Sequence, residues 1–386
     1  MAMVRSIVGG GAVSVAALLF FSALAAVLPA ALSTSLPLDR LPQNANNDSS
    51  SHPWPTVNFA DLAAAGDNHS TDYHAITCPS LEFIVQANVD NAVNVDASIA
   101  AGLIRIYFND CFPQGCDASL LLKGLHSEER YEANAFLNQK SMQLIEDIRI
   151  IVHAQCGATV SCADILALAV RRAVVRAGGV TFPVRLGRYD NVAPATRRDV
   201  SSAIPSSPRA AGGAAGVAAA LLAAFASRGL ADPSDLVALS GAHSIGKAHC
   251  ASFADRAAEY DTDFTRKLFR DCRSDAYAVE DLDHVTPRVL DNQYYKNLYK
   301  GEGVLSSDMA LLSNPLTAMW VKYYNEHPRE FLDDFSAKMD KLYNVPKTGF
   351  GEIRRFSCFR TNNGRFINGG GGDDDVDQGE GGVASA

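Results

Sequence analysis

The chain has 386 residues, 47% of them apolar, with a formal net charge of −9. That length suits one large domain or two ordinary ones and supplies ample core material. The acidic balance argues against a nucleic-acid partner and offers no basic face to a membrane surface.

Residues 1–31 hold Arg5, a largely apolar run from Ala12 to Val27 and then small residues, the pattern of a secretory signal peptide. Beyond it no segment is apolar enough to cross a bilayer, so no membrane contact is expected after cleavage. Residues 32–70 are rich in Asn, Asp, Ser and Pro and read as a mobile extension. It carries two glycosylation sequons, at Asn47 and Asn68. Eight cysteines, at 78, 111, 116, 156, 162, 250, 272 and 358, stand behind the signal peptide and imply four disulfides. Only Cys111 with Cys116 forms a natural local pair; spacing leaves the other partners open. Zinc-ligand spacing is a poor fit.

From Pro79 to Tyr107 apolar residues recur every three or four positions, from Leu81 through Val85, Val89, Ala92, Val95, Ile99 and Leu103 to Ile106, which predicts a helical run. Further helices are expected at Ser141–Val152, Ser161–Val175, Ala210–Ala226, Thr262–Phe269, Met309–Tyr324 and Arg329–Leu342. Val184–Val192 reads as a short extended piece. Residues 363–386 form a Gly/Asp-rich tail expected to be disordered. With no internal repeat and no series of alternating strands, the fold class is all-α with long functional loops.

Three stretches carry chemistry. In DLVALSGAHSIGKAHC, Asp235 to Cys250, Asp235 is placed to cap a short apolar run, and a second helical run carries His243 towards Phe253. Ser240, Gly241, Ala242 and Gly246 surround His243 with little bulk, so a large planar group could approach the imidazole; histidine is a common axial ligand of haem iron. In GLIRIYFNDCFPQGCDAS, Gly102 to Ser119, Arg105, Phe108 and Asn109 fall on one helix face. Asp110, Asp117 and Ser119, with the carbonyls of Pro113 and Gly115, supply the hard oxygens of a calcium shell, though not at EF-hand spacing. Asp283, Thr286 and Asp291 form a second oxygen-rich set that Ser244 could join.

With these stretches in hand, the chain resembles the secreted plant haem peroxidases, class III of their superfamily. The resemblance runs through TCP at Thr77, DCFPQGCDAS at Asp110, VSCADILALA at Val160, LGRYD at Leu186, LSGAHSIG at Leu239, TPRVLDNQYY at Thr286, SSD at Ser306 and GEIRR at Gly351. It implies a peroxidase domain over residues 71–362, with haem b between a distal and a proximal helical half. By resemblance His243 is the proximal iron ligand and Asp308 accepts a hydrogen bond from its other ring nitrogen. Arg105 polarises the peroxide O–O bond, Phe108 lines the haem pocket, and Asn134, with Glu128 behind it, orients the distal catalytic residue. Pro205 marks the substrate entrance, although the family's Pro-x-Pro is loosened to PSSP. Two calcium ions are implied, a distal one held by Asp110, Pro113, Gly115, Asp117 and Ser119, and a proximal one held by Ser244, Asp283, Thr286 and Asp291. The implied disulfides are Cys78–Cys156, Cys111–Cys116, Cys162–Cys358 and Cys250–Cys272. The implied partners are hydrogen peroxide and small phenolic reductants, and the implied state is a secreted monomer of the extracellular space or cell wall, or of the vacuole.

One departure matters. Family members carry His-Phe-His-Asp-Cys-Phe where this chain reads Tyr107-Phe108-Asn109-Asp110-Cys111-Phe112. Asn109 stands at the distal histidine, and an amide has no pKa suited to taking a proton from peroxide. The expectation is a haem-dependent peroxidase of weakened turnover. The alternative is a catalytically quiet secreted haem protein with a binding or structural role in the wall.

Overall fold

The computed structural model describes residues 55–64, 69–204, 213–275 and 277–363. The signal peptide, Asn47, Asn68, Pro205 and all of the tail beyond Asn363 lie outside the described residues. The described chain is mainly helical, as the apolar periodicity requires, with two small antiparallel sheets. None of its helices is long and apolar enough to cross a membrane.

The expected run from Pro79 to Tyr107 is two helices, Leu81–Val95 and Ser98–Gln114. The break falls at Asp96, whose carboxylate accepts from the Ser98 backbone N–H at 3.0 Å and from its hydroxyl at 2.6 Å. A carboxylate that satisfies the free N–H groups of a first turn starts a new helix instead of letting the old one continue. Gln139–Cys156 begins at Asn138, which accepts from the Ser141 N–H, and Cys162–Arg176 begins at Ser161, which accepts from the Asp164 N–H. Both Leu81–Val95 and Ser98–Gln114 pack on Cys162–Arg176, whose Ile165, Leu166, Leu168 and Val170 are buried.

Pro233–Ser240 anchors the other half of the core, packed on Pro315–Glu326 and Pro328–Lys341. Its N-cap is Asp232, not the expected Asp235. Asp235 sits one turn in, accepts a hydrogen bond from the Asp232 N–H and pairs with Lys338 and Lys341. The expected Met309–Tyr324 helix is also divided, into Ser306–Ala310 and Pro315–Glu326, because Asn314 caps and Pro315 starts a new helix.

The helical run expected beyond His243 does not form. Gly241–Ser244 is one tight turn, Ile245 is extended, and Gly246 has φ +96°. The chain then enters the strand Lys247–His249, paired with Val279–Asp281. A glycine in the left-handed region ends helical geometry, and the waiting strand takes up the freed backbone groups. Residues 55–64 also differ from the mobile extension expected over 32–70. Val57–Asn58 pairs with Phe350–Glu352, which in turn pairs with Asp190–Asn191. The short helix Phe59–Ala64 follows, with Phe59 buried.

All four expected disulfides are present: Cys78–Cys156, Cys111–Cys116, Cys162–Cys358 and Cys250–Cys272. Near Cys358 the fully buried Arg354 donates from its guanidinium to the carbonyls of Ala118 (2.8 Å), Cys358 (2.7 Å) and Asn191 (2.7 Å). Its backbone N–H donates to the buried Asp190 carboxylate at 3.0 Å. Arg354→Ala removes the cation and the donors it gives to three carbonyls, so it should cost about 3–5 kcal/mol, as breaking a buried ionic arrangement does. The check is the urea midpoint of the variant with its disulfides intact; an unchanged midpoint would show that Arg354 holds nothing.

Candidate active site

A cavity of about 1300 Å³ opens between the two halves. Arg105, Phe108 and Asn109 of the Ser98–Gln114 helix line one wall, and Ala242, His243, Gly246 and Asp308 line the other. The sequence-predicted groups of both stretches therefore meet across one space.

On the second wall, His243 Nδ1 lies 2.9 Å from Asp308 Oδ1. A carboxylate only accepts, so Nδ1 carries the proton and Nε2 is left with a lone pair. Over a third of the imidazole is uncovered, yet it is enclosed by protein, because the opening is the cavity itself. Burial works against the imidazolium, but the charge and hydrogen bond of Asp308 outweigh it and raise the pKa. Asp308 Oδ1 also accepts from the Tyr294 hydroxyl at 3.0 Å. The space beside His243 is set by crowding behind it: a Cβ on Gly241 would stand 2.4 Å from the Phe331 ring.

On the first wall, Arg105 is held by backbone carbonyls on either side of Asn134. Its guanidinium donates to Ala135 at 2.9 Å, and to Ala133 and Phe136 at 3.4 Å. Burial lowers its pKa, but a guanidinium so far above neutrality stays cationic. Phe108 stacks on Phe112 with centroids 4.8 Å apart. Asn109 is buried, and its Nδ2 donates to Asn134 Oδ1 at 2.9 Å. Asn134 Nδ2 donates in turn to the Glu128 backbone carbonyl, also at 2.9 Å. Glu128 therefore supports the chain of amides through its backbone; its carboxylate accepts from the Ala195 N–H instead.

The first oxygen set gathers at the end of the same helix. Asp110 accepts from the N–H groups of Asp117, Ala118 and Leu120, and Asp117 accepts from the Ser119 N–H and the Asn191 side chain. Burial, and then the neighbouring carboxylates, push Asp110 and Asp117 well above the usual carboxylate range. Burial also pushes Glu128 up, to about 7. Ser119 Oγ, enclosed beside these groups, has no aligned partner, nor has Glu128 Oε2. Pro113 and Gly115 end the helix, with Gly115 at φ +97°. Mutually repelling buried carboxylates with orphan oxygens fit a hard cation.

The second set is tied to the histidine's segment. Ile245 bridges Arg288, which lies between Thr286 and Asp291. The Thr286 hydroxyl lies 3.3 Å from Asp283 Oδ2 and 3.1 Å from Asp291 Oδ1. Ser244 Oγ is buried without a partner. Each set has only two carboxylates among its proposed ligands, the rest being hydroxyls and carbonyls. Consistently, no cluster of three or more His, Cys, Asp or Glu side chains among the described residues has metal-binding geometry.

Sequence reasoning passed over Tyr294, whose bond to Asp308 no local spacing announces. It also passed over the pairing of Phe136 with His249 at the cavity, rings 4.0 Å apart.

Residues 85–327 match the peroxidase family. The chain is 41% identical to cationic peroxidase SPC4 of Sorghum bicolor over 286 residues, covering 72% of this chain and 77% of that one. It is 41% identical to peroxidase 7 of Arabidopsis thaliana, covering 76% and 84%, and 36% identical to peroxidase 1 of Hordeum vulgare, covering 81% and 99%. A helical fold with these four disulfides, a histidine–aspartate pair facing an arginine across a cavity, and likeness along most of the chain agree: this protein belongs to the peroxidase family, as a class III peroxidase of the secreted plant type, and is an oxidoreductase.

Proposed function

We propose that the protein is a haem-dependent peroxidase that oxidises small phenolic reductants with hydrogen peroxide, at a rate held down by Asn109. The observation that carries this reading is the Asn109–Asn134 hydrogen bond. It turns the amide nitrogen towards Asn134, with the Ala133 carbonyl 3.5 Å away, and leaves Asn109 with an acceptor oxygen where the family's distal base stands. That oxygen can accept a hydrogen bond from peroxide but cannot carry the proton away. Arg105, aimed by its carbonyl partners, keeps spare N–H donors to stabilise negative charge on a departing oxygen.

The residues fit a haem. His243 would ligate the iron through Nε2, with Asp308 fixing the tautomer and enriching the ring. Phe108 and Arg105 would contact the opposite face. When bound, haem supplies the redox centre at which the O–O bond is broken. Two calcium ions would be held, one by Asp110, Pro113, Gly115, Asp117 and Ser119 and one by Ser244, Asp283, Thr286 and Asp291; the orphan hydroxyls of Ser119 and Ser244 support both. Pro205 keeps its role at the substrate entrance as part of this proposal. So do the 71–362 domain limits, the monomeric state, and secretion to the extracellular space or wall, with the vacuole as the other destination.

His243→Ala should abolish haem retention or change the Soret band away from a histidine-ligated spectrum. Unchanged haem content with an unchanged spectrum would assign the ligand elsewhere. Calcium removal by a chelator should lower thermal stability, because an ion bound only by the native state adds about 3 kcal/mol per site at a hundredfold excess over its Kd. Elemental analysis after purification in calcium is the direct check, and a protein without stoichiometric calcium would refute both sites.

Asn109→His should accelerate the first reaction with peroxide by about 10²-fold or more, the usual worth of a positioned general base. Asn134 remains in place to orient the new imidazole, and haem content should not change. Stopped-flow absorbance of the ferric wild type and variant decides the matter. Equal rates would mean that another group already supplies the base. No reaction from either, with haem properly bound, would favour the quiet haem protein of binding or structural role.

A further inference from the structure

Behind His243 the core holds a file of redox-active aromatic side chains. Tyr294 shares Asp308 Oδ1 with the imidazole, and its ring centroid lies 6.3 Å from that of His243. Tyr295 follows at 4.9 Å from Tyr294, Tyr324 at 5.4 Å from Tyr295, and Trp320 at 5.5 Å from Tyr324. Tyr323 lies 5.6 Å from Trp320 and 5.8 Å from Tyr324. The three inner tyrosines are buried, Trp320 is half-buried, and Tyr323 is 38% exposed. The file thus runs without a gap from the histidine to the outer surface of the Pro315–Glu326 helix. It leaves the cavity behind, since none of these five aromatic residues lines it.

We propose that this file conducts electrons inward from a surface oxidation site at Trp320 and Tyr323, where the protein oxidises phenolic groups borne on bodies too large to enter the cavity. The proposal rests on the peroxidase reading above.

Packing alone asks only for rings, and Phe331 in the same cluster shows that phenylalanine suffices. Tyrosine and tryptophan lose an electron far more readily than phenylalanine does. A neutral phenol must also shed its proton when oxidised, and burial keeps these phenols protonated by pushing their pKa values up. Two of the three have a carboxylate ready to accept. Tyr294 donates to Asp308, and Tyr324 donates to Asp334 at 2.8 Å. Tyr295 donates to the Val237 carbonyl, which cannot take a proton, so Tyr295 serves as the medium between the two hopping sites. At the exit, exposed Leu316 and Met319 flank Tyr323 along one helix face and give an aryl ring an apolar surface to rest on.

The balance closes. In one turnover hydrogen peroxide takes up two electrons and two protons and leaves as two waters. Each electron comes from one phenol group at the surface, which releases its proton to solvent and ends as a phenoxyl radical. As the electron passes inward, the protons lent by Tyr324 to Asp334 and by Tyr294 to Asp308 return along the same hydrogen bonds.

The test uses the haem-loaded full chain. Peracetic acid serves as oxidant, because its leaving group is a carboxylate and it has no need of a distal base. A nitroso spin trap is present, and labelled peptides are located by mass spectrometry. Label is expected on Trp320 or Tyr323 of the wild type. It should be lost in Tyr324→Phe, which keeps the ring and removes the phenol, while the haem spectrum stays the same. In parallel, oxidation of phenol grafted onto dextran is compared with that of free phenol. The double substitution Trp320→Phe and Tyr323→Phe should lower the ratio of grafted to free oxidation. Label undiminished in Tyr324→Phe, label confined to other residues, or an unchanged ratio would each overturn the path. Oxidation of free phenol without label at the exit removes the path alone. Oxidation of neither phenol, with haem bound, removes the peroxidase reading and the path with it.

Discussion

One carboxylate oxygen holds the site together. Asp308 Oδ1 takes hydrogen bonds from His243 Nδ1 and from the Tyr294 hydroxyl, and the carboxylate is buried between them. A buried charge with a single neutral donor is poorly compensated; with two it is held and directional. The three residues come from the Gly241–Ser244 turn, the Gln293–Tyr299 helix and the Ser306–Ala310 helix. That shared oxygen therefore sets where three segments meet and which nitrogen of His243 faces the cavity. The pairing of Lys247–His249 with Val279–Asp281 and the bridge from Ile245 to Arg288 fix the same turn from its other end.

The opposite wall uses neutral groups for the same purpose. Arg105 is aimed by peptide carbonyls and Asn109 by another amide. Neither interaction removes the arginine's charge, so the wall presents a cation beside an uncharged acceptor. The geometry that would orient a base is present, while the residue in its place cannot change protonation state. Position and chemistry have been separated here, which is why likeness to peroxidases over most of the chain leaves the rate open.

Local pattern made several of these features legible. The freedom around His243 follows from small residues written beside it, and Arg105, Phe108 and Asn109 share a face because helical periodicity puts them there. The division at Pro315 was within reach of the same local rules, since proline favours a helix start, yet the apolar run over Met309–Tyr324 reads as one helix. What stayed hidden depended on partners far along the chain. No local rule joins His243 to Asp308, and family resemblance had to supply that pair and the long-range disulfides. The strand after Gly246 escaped because three residues show no useful period and their conformation is decided by Val279–Asp281. Asp96 was readable as a break in principle, but an unbroken apolar stripe on both sides of it masked the signal.

The segment Val57–Ala64 lies far from the cavity's residues in sequence but is stitched to the strand Phe350–Glu352. Its two-residue strand covers the free edge of Phe350–Glu352, and the Phe59 ring fills the hollow beside Gly351, where a Cβ would meet it at 2.7 Å. Lys347 lies over the same ring. A load that separates Val57–Asn58 from Phe350–Glu352 must therefore break the paired backbone and draw the Phe59 ring out of its buried seat in the same step, so the clasp opens as a unit or not at all.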